Sequence, residues 1–181
     1  MVEINDIARF PFSLTQKPGY CIPANVEAVT RYLRPDPPPA NQDYIAQRYE
    51  NQGGTMPTIS LSSIRNLVLN TDPEFRWVKS EFIPPESLSN FQALVGRIEA
   101  SINSSIPHIL SVPIFVGNRL ANWHMLTVVG YDDRNFQLYN SEPTQTLPGR
   151  FAIETNVLRS SLLSAHPTSD VTDSLVIRRS T

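Results

Sequence analysis

Cys21 is the only cysteine in this chain of 181 residues, and it immediately precedes a segment with helical periodicity. A cysteine nucleophile needs a thiol pKa below the ordinary value of about 8.5, and a helix N-terminus or a neighbouring imidazolium lowers it. Catalysis at Cys21 would also require an imidazole within reach and a polar group that orients that imidazole. A lone cysteine is more often a buried structural residue. On composition alone, both interpretations of Cys21 stay open.

His124 is the candidate base, because it begins a segment of strand composition that leads into a hairpin turn at 132–135. Antiparallel pairing counted back from this turn places His124 opposite residues near 141–143. Asn140 then lies within a diagonal step of the imidazole, which makes it the candidate orienter. Glu142, two residues further on the same face, is the alternative orienter.

Gln16 and Trp123 complete the set of candidate site residues. Gln16 precedes Cys21 by five residues, and its side-chain amide could act with the backbone N–H of Cys21 as an oxyanion donor. Trp123 adjoins His124 and could shield the imidazole from water in the cleft or fill the core. The sequence favours neither of these two roles for Trp123.

The composition indicates a globular protein and sets limits on its partners. A net charge of -2 and a pI near 5.9 give no reason to expect binding to nucleic acid. No apolar segment is long enough for membrane insertion, and no histidine or cysteine spacing predicts a metal or a cofactor. We expect no cleaved signal peptide and synthesis in the cytoplasm. Delivery to another cell without such a signal, excision from a longer protein and the oligomeric state stay open.

Hydrophobic periodicity predicts mainly helices in the first part of the chain and mainly strands in the second. Helices are expected at 22–33, from Asn41 to Gly53–Gly54, from Ser60 or Ser62, at 88–102 and at 156–165. Strands are expected at 74–82, 107–116, 123–132, 135–140, 150–154 and 174–178. This order predicts one α+β domain over 1–181, with a helical half at about 14–103 and a sheet half at about 104–181.

Two segments resemble a known group of enzymes. "QKPGYCIPANVEAVTRYL" resembles the nucleophile helix of papain-like cysteine peptidases, most closely that of the bacterial C39-like branch. "WHMLTVVGYDDRNFQLYNSEP" resembles the histidine strand of that branch, with its following turn and closing acid or amide. The resemblance implies a papain-like fold, in which a helical part packs on an antiparallel sheet and the active site lies in the cleft between them.

The resemblance also implies a role for each candidate residue. Cys21 would be the nucleophile, His124 the base, Asn140 the orienter and Gln16 the oxyanion donor. The expected function is that of a cysteine peptidase acting on a protein or peptide substrate through a thioester. Two alternatives stay open. The same machinery could serve a glutamine deamidase or a transglutaminase-like effector or toxin, and a decayed site would leave a binding or regulatory module.

Overall fold

A seven-stranded antiparallel sheet forms one side of the structure, a computed structural model that describes residues 1–36, 38–56, 59–83, 91–116, 119–142, 149–165 and 173–180. Its strands are β1 (Val2–Glu3), β2 (Val78–Ile83), β3 (His108–Val116), β4 (Arg119–Tyr131), β5 (Asn135–Asn140), β6 (Gly149–Glu154) and β7 (Ser174–Arg179). The strand order is β2-β7-β3-β4-β5-β6, and β1 pairs with the end of β4. The predicted α+β class is confirmed, with an open sheet.

In the described ranges, five α-helices accompany this sheet: α1 (Cys21–Leu33), α2 (Gln42–Asn51), α3 (Leu61–Ile64), α4 (Phe91–Asn103) and α5 (Thr155–Ala165). The side chain of Asn41 caps α2 and that of Ser60 caps α3, each accepting a backbone N–H of the first turn. A π-helical turn at Arg65–Leu69 continues α3. Periodicity predicted a helix in this segment but not its π-helical form. The predicted start of the fourth helix at Leu88 lies outside the described residues.

Helix α1 is buried on all sides from residue 22 to residue 30, although its sequence predicts a single apolar stripe. The reason is its position, since it contacts α2 on one side and β4 and β7 of the sheet on the other. Polar side chains in this segment therefore need partners inside the protein. Glu27 accepts the backbone N–H of Gln42 at 2.8 Å and pairs with Arg31 at 2.6 Å.

The hairpin of β4 and β5 carries the residues expected to form the base and its orienter. Asp132 closes the turn by accepting the backbone N–H groups of Arg134 and Asn135. The strands pair Thr127 with Tyr139, and a bulge interrupts the register between Val128 and Gly130. The register predicted by counting residues back from the turn, which placed His124 near Asn140, is therefore close to the observed strand pairing.

Gly130 is needed where β1 joins the sheet. A Cβ atom at this position would lie 2.8 Å from the backbone oxygen of Val2, closer than real Cβ contacts allow. A residue with a side chain would push β1 away from β4.

Strand β2 joins the sheet at its edge beside β7, although it lies within the segment assigned to the helical half. None of the helices in the described ranges is long and apolar enough to cross a membrane.

Candidate active site

Cys21 is the first residue of α1, where the backbone N–H groups of the opening turn have no partner within the helix. Its side chain is half-buried. The backbone N–H groups of Met125, Ile22 and Cys21 itself lie near the sulfur and favour the thiolate. Met125 directly follows His124 on β4. This contact therefore places the thiol against the strand that carries the candidate base.

The thiol of Cys21 nevertheless stays protonated in the resting site. Burial raises the pKa of the thiol, and the negative charge of Glu142 raises it further, which together outweigh the three N–H donors. A nucleophilic role for Cys21 would therefore require a base that removes its proton before or during attack.

His124 and Asn140 form a hydrogen bond in which Nε2 of the imidazole donates to Oδ1 of the amide, over 2.8 Å. The backbone N–H of Glu142 donates to the same oxygen at 3.0 Å, which fixes Oδ1 as an acceptor. The proton of the neutral imidazole therefore lies on Nε2. The lone pair lies on Nδ1, which is the nitrogen able to accept a proton.

The surroundings of His124 favour its neutral form. Burial lowers the pKa of the imidazole, while the bond to Asn140 and the charge of Glu142 act in the opposite direction. The net shift is downwards, so the ring is neutral near pH 7 and is in the state required of a general base. Among the described residues, no hydrogen bond joins this imidazole to the thiol of Cys21.

Gln16 is buried, and its side chain contacts the two residues that follow Asn140. Oε1 of Gln16 accepts the hydroxyl of Ser141 at 2.7 Å. Nε2 of Gln16 donates to Oε2 of Glu142 at 2.7 Å. Glu142, the alternative orienter of His124, thus forms its side-chain bond with the candidate oxyanion donor, and the imidazole bonds to Asn140.

Asn25 connects the two sides of the site, and the sequence did not identify it. Its Nδ2 donates to the backbone oxygen of Cys21 at 2.7 Å and to that of Met125 at 3.1 Å. Its Oδ1 accepts the hydroxyl of Thr127 at 2.6 Å. The available signal was its spacing, because Asn25 lies one helical turn after Cys21 on the same stripe.

The structure brings the four expected site residues, Cys21, His124, Asn140 and Gln16, to the junction of α1 with β4 and the end of β5. Trp123 is half-buried and is paired with Pro113 of β3. The catalytic roles of these residues stay predictions. Within the described ranges, no group of three His, Cys, Asp or Glu side chains could hold a metal ion.

Comparison with solved structures identifies similar folds. The peptidase domain of Streptococcus ComA, a bifunctional ABC transporter involved in a quorum-sensing pathway, matches 92% of this chain and 97% of its own, with a TM-score of 0.54 and 13% identity. A C39-like peptidase candidate from Bacillus anthracis matches 100% of both chains, with a TM-score of 0.62 and 11% identity. The fold is that of the papain-like cysteine peptidases.

This papain-like fold confirms the architecture that the resemblance implied, with helices packed on an antiparallel sheet, and the sheet is open. No protein-family model and no curated protein sequence matches the chain. The similarity to the two peptidase structures is therefore one of fold.

Proposed function

We propose that this protein is a papain-type cysteine hydrolase that cleaves peptide bonds. The observation that carries the proposal is the contact of the Cys21 sulfur with the backbone N–H of Met125, directly after His124. Asn140 holds Nε2 of that imidazole, which supports roles for Cys21 as the nucleophile, His124 as a neutral base and Asn140 as its orienter. The papain-like fold supports the same function.

In the proposed reaction, Nδ1 of His124 accepts the thiol proton as the sulfur of Cys21 attacks the substrate carbonyl carbon. The backbone N–H of Cys21 and the amide of Gln16 stabilise the oxyanion that forms. The C–N bond then breaks, and His124 gives the proton to the leaving amine, which leaves a thioester. His124 next accepts a proton from water, whose oxygen attacks the thioester and releases the acid and the free thiol.

The experiment is incubation of the protein with a peptide library prepared from a whole proteome, with Cys21→Ala as the control. New N-termini that depend on Cys21 would support the peptidase. Conversion of glutamine to glutamate would instead identify a deamidase, and new bonds between glutamine and amines an acyl transferase. These two products are those expected if the protein is a glutamine deamidase or a transglutaminase-like effector or toxin. Absence of any product that depends on Cys21 would contradict the proposal.

A non-catalytic binding or regulatory module is the second candidate, and one observation favours it. The pKa of the Cys21 thiol is raised by burial and that of His124 is lowered by burial, so the resting pair does not carry the charges of an activated thiolate. Acylation of Cys21 by p-nitrophenyl acetate separates the candidates. An enzyme loses most of this reactivity in His124→Ala, because the base is gone, whereas a decayed site reacts equally slowly in both proteins.

A further inference from the structure

Gln16 lies in a loop, yet its backbone and both ends of its side-chain amide are held by hydrogen bonds. Its backbone N–H donates to the backbone oxygen of Ser141 at 2.8 Å. Its side-chain oxygen accepts the hydroxyl of Ser141, and its side-chain nitrogen donates to Glu142, each at 2.7 Å. Both ends of the amide are therefore held by consecutive residues at the end of β5.

The residues on either side of Gln16 are held from the opposite direction by helix α2. Oε1 of Gln42 accepts the backbone N–H of Lys17 at 3.0 Å, and its Nε2 donates to the backbone oxygen of Thr15 at 3.0 Å. Gln42 itself is anchored, because its backbone N–H donates to the buried carboxylate of Glu27. The loop that carries Gln16 thus has little freedom to move relative to α1.

The two side-chain bonds also fix which way the amide of Gln16 faces. A flipped amide would direct its oxygen at the carboxylate of Glu142 and its N–H groups at the hydroxyl of Ser141, and the first of these contacts is repulsive. An amide nitrogen carries two hydrogens. One donates to Glu142, and the other is the hydrogen that an oxyanion at Cys21 would require.

We propose that Ser141 and Glu142 are positioning residues that orient the amide of Gln16 as an oxyanion donor. This inference rests on the proposed cysteine hydrolase function. The segment 140–142 then positions both the base and the donor, since Asn140 holds His124 and the next two residues hold Gln16. Ser141 is tied to the nucleophile helix as well, because its oxygen lies 3.4 Å from Nδ2 of Asn25.

Two reagents isolate the step in which Gln16 would act. With p-nitrophenyl acetate, the sulfur of Cys21 adds to the carbonyl carbon, p-nitrophenolate leaves, and water hydrolyses the acetyl thioester. The addition develops an oxyanion. With iodoacetamide, the sulfur displaces iodide from a tetrahedral carbon and no oxyanion develops. The ratio of the two rates at Cys21 therefore measures oxyanion stabilisation, and the alkylation rate corrects for changes in thiol reactivity.

We expect Gln16→Ala to lower this ratio about a hundredfold, the usual effect of removing one oxyanion donor. Ser141→Ala and Glu142→Ala should each lower it roughly tenfold, because the amide then rotates. Neither should lower it further when combined with Gln16→Ala. Glu142→Gln keeps an acceptor oxygen and should restore most of the ratio lost in Glu142→Ala.

Asp43→Asn is the matched control, because it removes an exposed ion pair with Lys17 in the same loop and should leave the ratio unchanged. An unchanged ratio in Ser141→Ala and Glu142→Ala, with a loss in Gln16→Ala, would overturn the inference and leave the hydrolase intact. A loss in Glu142→Gln as large as that in Glu142→Ala would also overturn it. Failure of p-nitrophenyl acetate to acylate Cys21 in the natural protein would overturn both the inference and the proposed function.

Discussion

His124 and His108 lie on neighbouring strands of one sheet, and their side chains are almost equally buried, with 5% and 0% exposed. Each imidazole has Nε2 2.8 Å from a neutral side-chain oxygen, which is Oδ1 of Asn140 for His124 and Oγ of Ser174 for His108. Burial and hydrogen bonding therefore do not distinguish the candidate base from the other histidine.

The charges around the two imidazoles are what differ. Burial lowers both pKa values, but the bond to Asn140 and the negative charge of Glu142 counteract it at His124. At His108 the positive charge of Arg97 adds to burial, and the pKa falls to about 4. Nδ1 of His108 also has no hydrogen-bond partner among the described residues. A sheet can thus hold a neutral histidine as packing, and what sets His124 apart is the carboxylate of Glu142 near its imidazole and the thiol of Cys21 beside its strand.

The largest expected difference between the two histidines is in acylation of Cys21 by p-nitrophenyl acetate. His124→Ala should lower the rate about a thousandfold, because the thiol loses its base, and Cys21→Ala should abolish the reaction. His108→Gln should leave the rate per folded molecule unchanged. The measurement is the acylation rate of each variant, divided by the folded fraction that circular dichroism gives. A loss in His108→Gln comparable to that in His124→Ala would remove the distinction between the two rings.

The second expected difference concerns stability in acid, where His108 should have the clearer effect. The pKa of its imidazole falls from 6.5 to about 4 on folding, so between these values the unfolded chain binds a proton that the folded protein excludes. The contribution of His108 to the free energy of unfolding is therefore fully present above pH 6.5. It decreases by about 3 kcal/mol as the pH falls towards 4.

Urea unfolding at several pH values between 7 and 4 tests this contribution from His108. In His108→Gln the decrease of the unfolding free energy over this range should be smaller by most of that amount, even if the variant is less stable throughout. Equal decreases in the variant and the natural protein would contradict the burial of a neutral imidazole.

The third expected difference arises from removing the hydrogen bond of each Nε2 to its partner, Asn140 for His124 and Ser174 for His108. Asn140→Ala should slow acylation of Cys21 about tenfold to thirtyfold, because losing the partner of a buried polar group costs roughly 1.4–2 kcal/mol and leaves the ring unoriented. Ser174→Ala removes the corresponding bond to His108 at the same 2.8 Å and is the matched control. It should reduce stability without slowing acylation.

Glu142→Ala separates the two orienters that the sequence left open. If the alternative orienter were correct, this variant would slow acylation more than Asn140→Ala does. We expect the opposite order, because the imidazole bonds to Asn140 and the carboxylate to Gln16.

The positions of the candidate nucleophile and the candidate base were predictable because local rules place them. A helix start determines the position of Cys21, and counting from a hairpin turn brings His124 to Asn140. The bonds of Gln16 to Ser141 and Glu142 join residues that are 125 and 126 positions apart in the chain. Periodicity describes helices and strands, so it contains no information about such contacts.

The burial of α1 on all sides escaped prediction for a related reason. Asn25 lies at the edge of the apolar stripe and Glu27 lies off it, yet both are buried and hydrogen-bonded. Their partners come from β4 and from the start of α2, which are brought to α1 only by the complete fold.

The smallest expected effect is the shift in pH dependence that the charge of Glu142 causes. Burial is the main cause that raises the pKa of the Cys21 thiol, and the Glu142 carboxylate raises it further. Burial lowers the pKa of His124, and the same carboxylate opposes that shift. Glu142→Gln removes the charge and keeps the acceptor, so both pKa values should fall. The alkylation rate of Cys21 by iodoacetamide, measured against pH, should then rise at a lower pH than in the natural protein. Arg97→Gln changes the charge near His108 and should leave this profile in place. A shift towards higher pH in Glu142→Gln would show that the carboxylate favours the thiolate, contrary to its position beside both groups.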